Sequence, residues 1–182
     1  MEKEPEKIIF GWWKDLENAR KKIDERGNRL KTPFTTGDSA RIRACKSIDE
    51  VILDAPVLYN LQQRLEGTSW QNLERVALVA GVLSHIRENR IEKDKPCGVP
   101  FELAEIGKKD NRQLEKTTKL RFQRLIQLKT PDELFLPMIR MVKYLKYSTQ
   151  VSYLAKGLYC WASEQNDPRK RWAIDFYTAL TQ

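Results

Sequence analysis

Histidine is almost absent from this chain of 182 residues: His85 stands alone. That scarcity removes most Ser–His and Cys–His chemistry and every metal site built on several imidazoles. Cysteine is nearly as rare. Cys45, Cys97 and Cys160 are widely spaced and odd in number, so they form neither a disulfide framework nor a zinc spacing and read as reduced thiols of a cytoplasmic protein. No apolar run approaches the roughly 20 residues that span a bilayer, and no membrane partner is expected. The mixed-charge start Met1-Glu2-Lys3-Glu4-Pro5-Glu6 does not read as a signal peptide. Eight Gly and eight Pro are too few for a low-complexity chain. No glycine-rich loop opens a helix as a phosphate cradle would, and Gly107-Lys108-Lys109 lacks the P-loop spacing. RNP sequences, zinc fingers and helix-turn-helix signatures are missing too. Neither a cofactor nor a metal is expected.

What is present is positive charge, and it is concentrated. Residues Arg112 to Arg171 hold 13 Lys and Arg against 5 Asp and Glu, while the rest hold 20 against 20. One stretch therefore carries the whole excess of +8. Lys and Arg on such a stretch displace condensed counterions from phosphates and give affinity without sequence preference. The same charge also suits a scaffold whose basic face docks acidic protein partners without meeting nucleic acid, and both readings stay open on composition.

Hydrophobic spacing reads as helix almost throughout, which makes the fold class all-α. Ile9, Trp12, Trp13, Leu16, Ala19 and Ile23 form a first stripe expected to end near Gly27. Asp38 or Ser39 is expected to cap a short helix carrying Arg41 and Arg43. Ser47 with Glu50 matches a capping box, and Pro56 can open the helix after it. Trp70 to Ile86 is the most apolar stretch and should lie centrally. His85 falls in it and reads as a satisfied structural residue. Residues 87–100 read as a linker, followed by a short helix with Glu102 and Glu105 on a solvated face. Thr130-Pro131-Asp132-Glu133 joins three helix-start signals, and Asp167-Pro168 starts a last helix with Trp172, Ile174, Phe176 and Leu180. The five Trp fall at core positions. Two small bundles packed together are expected, an N-terminal one over 1–110 and a basic C-terminal one over 111–182.

Catalysis has little to stand on. Asp132 and Glu133 serve a cap and the helix dipole; Pro131-Asp132 begins like a metal-dependent nuclease motif, but no Glu-x-Lys follows in the required place. The chain is not expected to be an enzyme. Binding residues are better supported, because Arg and Lys recur opposite the apolar stripes, where phosphate contacts require them. Arg121, Arg124 and Arg140 are expected at the centre of a nucleic-acid-binding face, extended by Lys119, Lys129, Lys143, Arg169, Lys170 and Arg171. Arg41 and Arg43 form a second patch. Cations at 169–171 oppose the dipole of the helix they open, and a phosphate partner would explain them.

The ordered landmarks Trp13-x-x-Leu16, Gly37-Asp38-Ser39-Ala40-Arg41-Ile42-Arg43, Leu58-Tyr59-x-Leu61, Arg121-Phe122-x-x-Leu125-Ile126, Trp161 and Trp172-Ala173-x-x-Phe176-Tyr177 resemble the CasB family. That family is the small subunit of type I-E Cascade, the RNA-guided CRISPR surveillance complex of antiviral defence. The resemblance runs over nearly the whole chain, with Ala44 standing where the family usually carries a further Arg. It implies an all-α, non-catalytic subunit of two helical bundles. Its implied partners are other Cascade subunits, a second copy of itself, the guide RNA, and target DNA including the displaced single strand of the R-loop.

Overall fold

Ten helices and one two-stranded pairing account for the regular structure of the described residues. The computed structural model of the chain describes residues 4–108 and 112–182, and the backbone alone at 112–114. The reading of Met1 to Lys3, the turn after Lys108 and the bundle boundary expected at 110/111 lie outside the described residues. The helices are α1 (Pro5–Lys21), α2 (Thr36–Ala44), α3 (Ile48–Asp54), α4 (Pro56–Arg64), α5 (Leu73–Leu83), α6 (Val99–Lys108), α7 (Arg112–Ile126), α8 (Pro131–Tyr144), α9 (Val151–Tyr159) and α10 (Arg169–Thr181). The all-α class stands, with one addition: β1 (Glu88–Asn89) pairs in parallel with β2 (Ser148–Thr149).

The core is built around α5. Every residue from Val76 to Leu83 is buried, because α3, α4, α8 and α9 all pack against this helix. Gly81 lets α8 and α3 approach: a methyl group there would collide with the Phe135 ring and press on Val51. Around this centre, α1 lies on α9, α2 and α4, while α6 packs on α10 and α7. All five Trp are buried. Three of their indoles donate to distant carbonyls and so lock elements together: Trp12 to Val57 at 3.1 Å, Trp13 to Ile86 at 3.2 Å and Trp161 to Leu128 at 2.9 Å.

Several local expectations need correction. The first helix stops at Lys21, where Lys22 turns with φ 67; Gly27, φ 79, serves a later turn. Ile23 is therefore off the stripe and exposed. Thr35, not Asp38 or Ser39, caps α2, and Asp38 completes a capping box as its third residue. Ser47 does cap α3, but the Glu50 carboxylate reaches one residue further back, to the Lys46 N–H at 2.7 Å. Residues 87–100 contain β1 and the start of α6, not only linker. Glu102 is buried, accepting from the Gly98 N–H at 3.3 Å, and burial raises its carboxyl; Glu105 pairs with Arg90 at 2.9 Å. Glu102 is thus off any solvated face, and Glu105 is half-buried. Ile174 points outward. The Thr130 capping box and the Pro56 start are as read.

Candidate nucleic-acid interface

The local sequence of α7 and α8 determines where their cations stand. Phe122 and Leu125 are buried on α7, which turns Arg121 and Arg124 outward one helical turn apart. On α8, Met138, Met141 and Val142 go inward and leave Arg140 and Lys143 exposed. The Thr130–Glu133 box fixes where α8 begins, with four residues between the end of α7 and its start. The two helices touch sparsely, and between them opens a cleft of about 430 Å³. Arg121, Arg124 and Arg140 all line it, together with Leu125, Leu128, Pro137, Met141 and Tyr144. The Arg121 guanidinium lies over the Tyr144 ring, 4.3 Å from its centroid.

The three arginines expected at the centre thus share one cleft, and among the described residues none of them pairs with a carboxylate. Half of the expected extension is paired within the chain. Lys119 pairs with Glu115 at 2.5 Å, and Arg171 with the buried Asp175 at 2.9 Å. Arg169 is bidentate to Asp167, with the shortest contact at 2.6 Å, and Asp167 also accepts the Arg169 backbone N–H at 3.1 Å. A carboxylate therefore does stand at the start of α10, and the helix dipole there is answered within the chain. Lys170 is exposed without a carboxylate ion pair among the described residues, and Lys129 is exposed with its backbone N–H on the Glu133 carboxylate at 2.9 Å.

A second group gathers round His85. Arg41 is exposed on α2, whereas Arg43 is half-buried, and its Nε donates to the Ser39 carbonyl at 2.9 Å. Burial pushes the Arg43 guanidinium down, and the neighbouring cations Arg20 and Arg87 push the same way against Glu17. Arg87, unremarked in the sequence, stacks over the Tyr147 ring at 4.4 Å. It reaches that ring because its N–H bonds to the Tyr147 carbonyl at 2.8 Å, beside the β1–β2 pairing. No sequence signal marks it, since the partner lies in a different part of the chain. His85 is pushed down to about 4, first by burial and then by Lys143, Arg43 and Arg87. It is neutral at neutral pH, and its buried Nε2 has no hydrogen-bond partner among the described residues. Lys143 follows Arg140 by one turn of α8 and is also among the cations that act on His85.

The sequence model of the family described as CRISPR-associated protein Cse2, the CasB family of the sequence resemblance, matches residues 38–177. Of solved structures, a chain of the crystal structure of E. coli Cascade bound to a PAM-containing dsDNA target is similar at 16% identity. The likeness covers 95% of this chain and 96% of that chain with a TM-score of 0.61. At that identity it is a likeness of fold. No curated protein matches the sequence.

Proposed function

The chain belongs to the Cse2 family of CRISPR-associated proteins, and from that premise we propose that it is the non-catalytic small subunit of a type I-E Cascade complex. In this reading it binds other Cascade subunits and a second copy of itself. Its basic surface braces guide RNA and target DNA, above all the displaced strand of the R-loop. The observation that carries the reading is the meeting of Arg121, Arg124 and Arg140 on one cleft with no carboxylate partner among the described residues. Lys143 continues that line to Arg87 and Arg43. We take the line to cross from the 1–110 part to the 111–182 part, with Arg41, Lys129 and Lys170 at its margins and Lys119, Arg169 and Arg171 contributing least.

Such a line suits a backbone and not a base sequence. Guanidinium forks match phosphate oxygens, and each phosphate met releases condensed counterions. In RNA-guided recognition base pairing reads the sequence, so a subunit that only holds strands needs no base-edge contacts.

The test uses the purified chain and mixed-sequence single-stranded DNA and RNA. Binding should be sequence-independent and should weaken steeply as salt rises. Replacing Arg121, Arg124 and Arg140 together by Ala should cost on the order of 1–3 kcal/mol of binding. The salt slope should fall by roughly one per phosphate contact removed, with the melting temperature nearly unchanged. Salt-insensitive binding, or a triple variant that binds like wild type, would refute the assignment. A chain that keeps an acidic protein partner in excess single-stranded DNA would instead be a scaffold.

A further inference from the structure

The cleft between α7 and α8 holds more than a phosphate track requires. Phosphates need only cations at the surface, yet this cleft has an apolar floor of Leu125, Leu128, Pro137 and Met141 beneath its three arginines. Its volume of about 430 Å³ falls within the range, roughly 300–1,000 Å³, of sites that enclose a small molecule. One wall is flat. Arg121 lies over the Tyr144 ring at 4.3 Å, and the Tyr144 hydroxyl is 3.1 Å from the Thr118 hydroxyl, which holds the ring in place. A guanidinium held over a ring on one side can take a second π-system on the other, as in the stacking of unpaired bases on arginine planes.

Planar wall, apolar floor and cationic rim together describe one nucleotide. We propose that the cleft receives a single unpaired nucleobase turned out of the strand that the basic line holds. The base stacks on Arg121, and Arg124 and Arg140 take the phosphates on either side of it. The apolar floor reads no base edge, so the site tolerates any base. It selects single strands over duplex, because a paired base cannot enter. An acidic peptide with an apolar side chain would answer the charge and the floor but leave the flat wall without a partner. The inference rests on the nucleic-acid reading above and adds a base to it.

The experiment compares binding of the purified chain to a mixed-sequence single-stranded DNA and to an abasic strand of equal length, which carries the same phosphates. The base-bearing strand should bind about tenfold more tightly, the scale of one stacked base. Leu128→Trp, which fills the cleft and keeps every arginine, should bring the base-bearing strand down to the abasic level and leave the salt slope unchanged. Should that variant melt early, Arg121→Lys serves the same end: it keeps the charge and loses the stacking plane. Equal binding of the two strands with a steep salt dependence would overturn the base site and leave the phosphate track standing. A base preference untouched by either variant would place the base elsewhere and also overturn it. No binding of either strand would sink both readings, and capture of a poly-glutamate peptide in that case would identify an acidic partner.

Discussion

His85 sits among Lys143, Arg43 and Arg87, from three different segments, and burial plus that company holds its imidazole neutral down to about pH 4. An unfolded chain protonates near 6.5. Between those values the unfolded state takes up a proton that the folded state refuses, so stability is full above pH 6.5 and is lost as pH falls toward 4. Denaturant melts across this window should show wild type losing on the order of 2–3 kcal/mol more than a His85→Gln variant, which has nothing to titrate. Equal losses would mean that the carboxylates alone set the acid limb. The same residue shows the boundary of sequence reading. The apolar stretch around a lone His points to packing, but α5 ends at Leu83 and leaves His85 in the turn beyond it, and the cations around it are not written in neighbouring residues.

At the scale of elements, what is local was legible. Thr130, Pro131 and Glu133 act on one another within four residues, and that cap has the geometry the spacing implies. The end of α1 was not legible, since Lys22 accepts a positive φ that composition assigns to Gly27. Glu102 deceived for a related reason: one of its partners is the Gly98 N–H at the start of its own helix, but the other, Thr149, is brought in from a distant part of the chain. Helix contact also decides what a glycine is for. Gly81→Ala drives a methyl group into Phe135 and should destabilise by about 1–3 kcal/mol. Gly11→Ala, with nothing within 4 Å, should stabilise by about 0.4–1 kcal/mol. Thermal melts in which both variants rose would show that packing at Gly81 is looser than its surroundings indicate, and melts in which both fell would refute the gain expected at Gly11.

For the whole molecule, composition alone located the excess charge, but not which charges are spent within the chain. Arg121, Arg124 and Arg140 could be grouped from sequence because each lies one turn from the next or opposite a buried stripe; Arg87 could not, because only tertiary pairing brings it to Tyr147. Two double variants separate total charge from its placement. Arg124→Ala with Arg140→Ala and Lys119→Ala with Arg171→Ala lower the net charge equally. The first pair should weaken strand binding by about tenfold or more, the scale of charge-assisted hydrogen bonds, and the second much less, since Glu115 and Asp175 already neutralise those cations. Equal losses would reduce the line to a diffuse field. The β1–β2 pairing joins Glu88 to Ser148, 60 residues apart, and so sets the order in which that line comes into being. Closing so long a loop costs entropy before any contact repays it. On a ribosome adding about 5–20 residues per second, Arg87 waits several seconds for Tyr147 to be made. For most of its synthesis the chain carries scattered cations, and the two groups can meet only after α8 and the strand that follows it have been made.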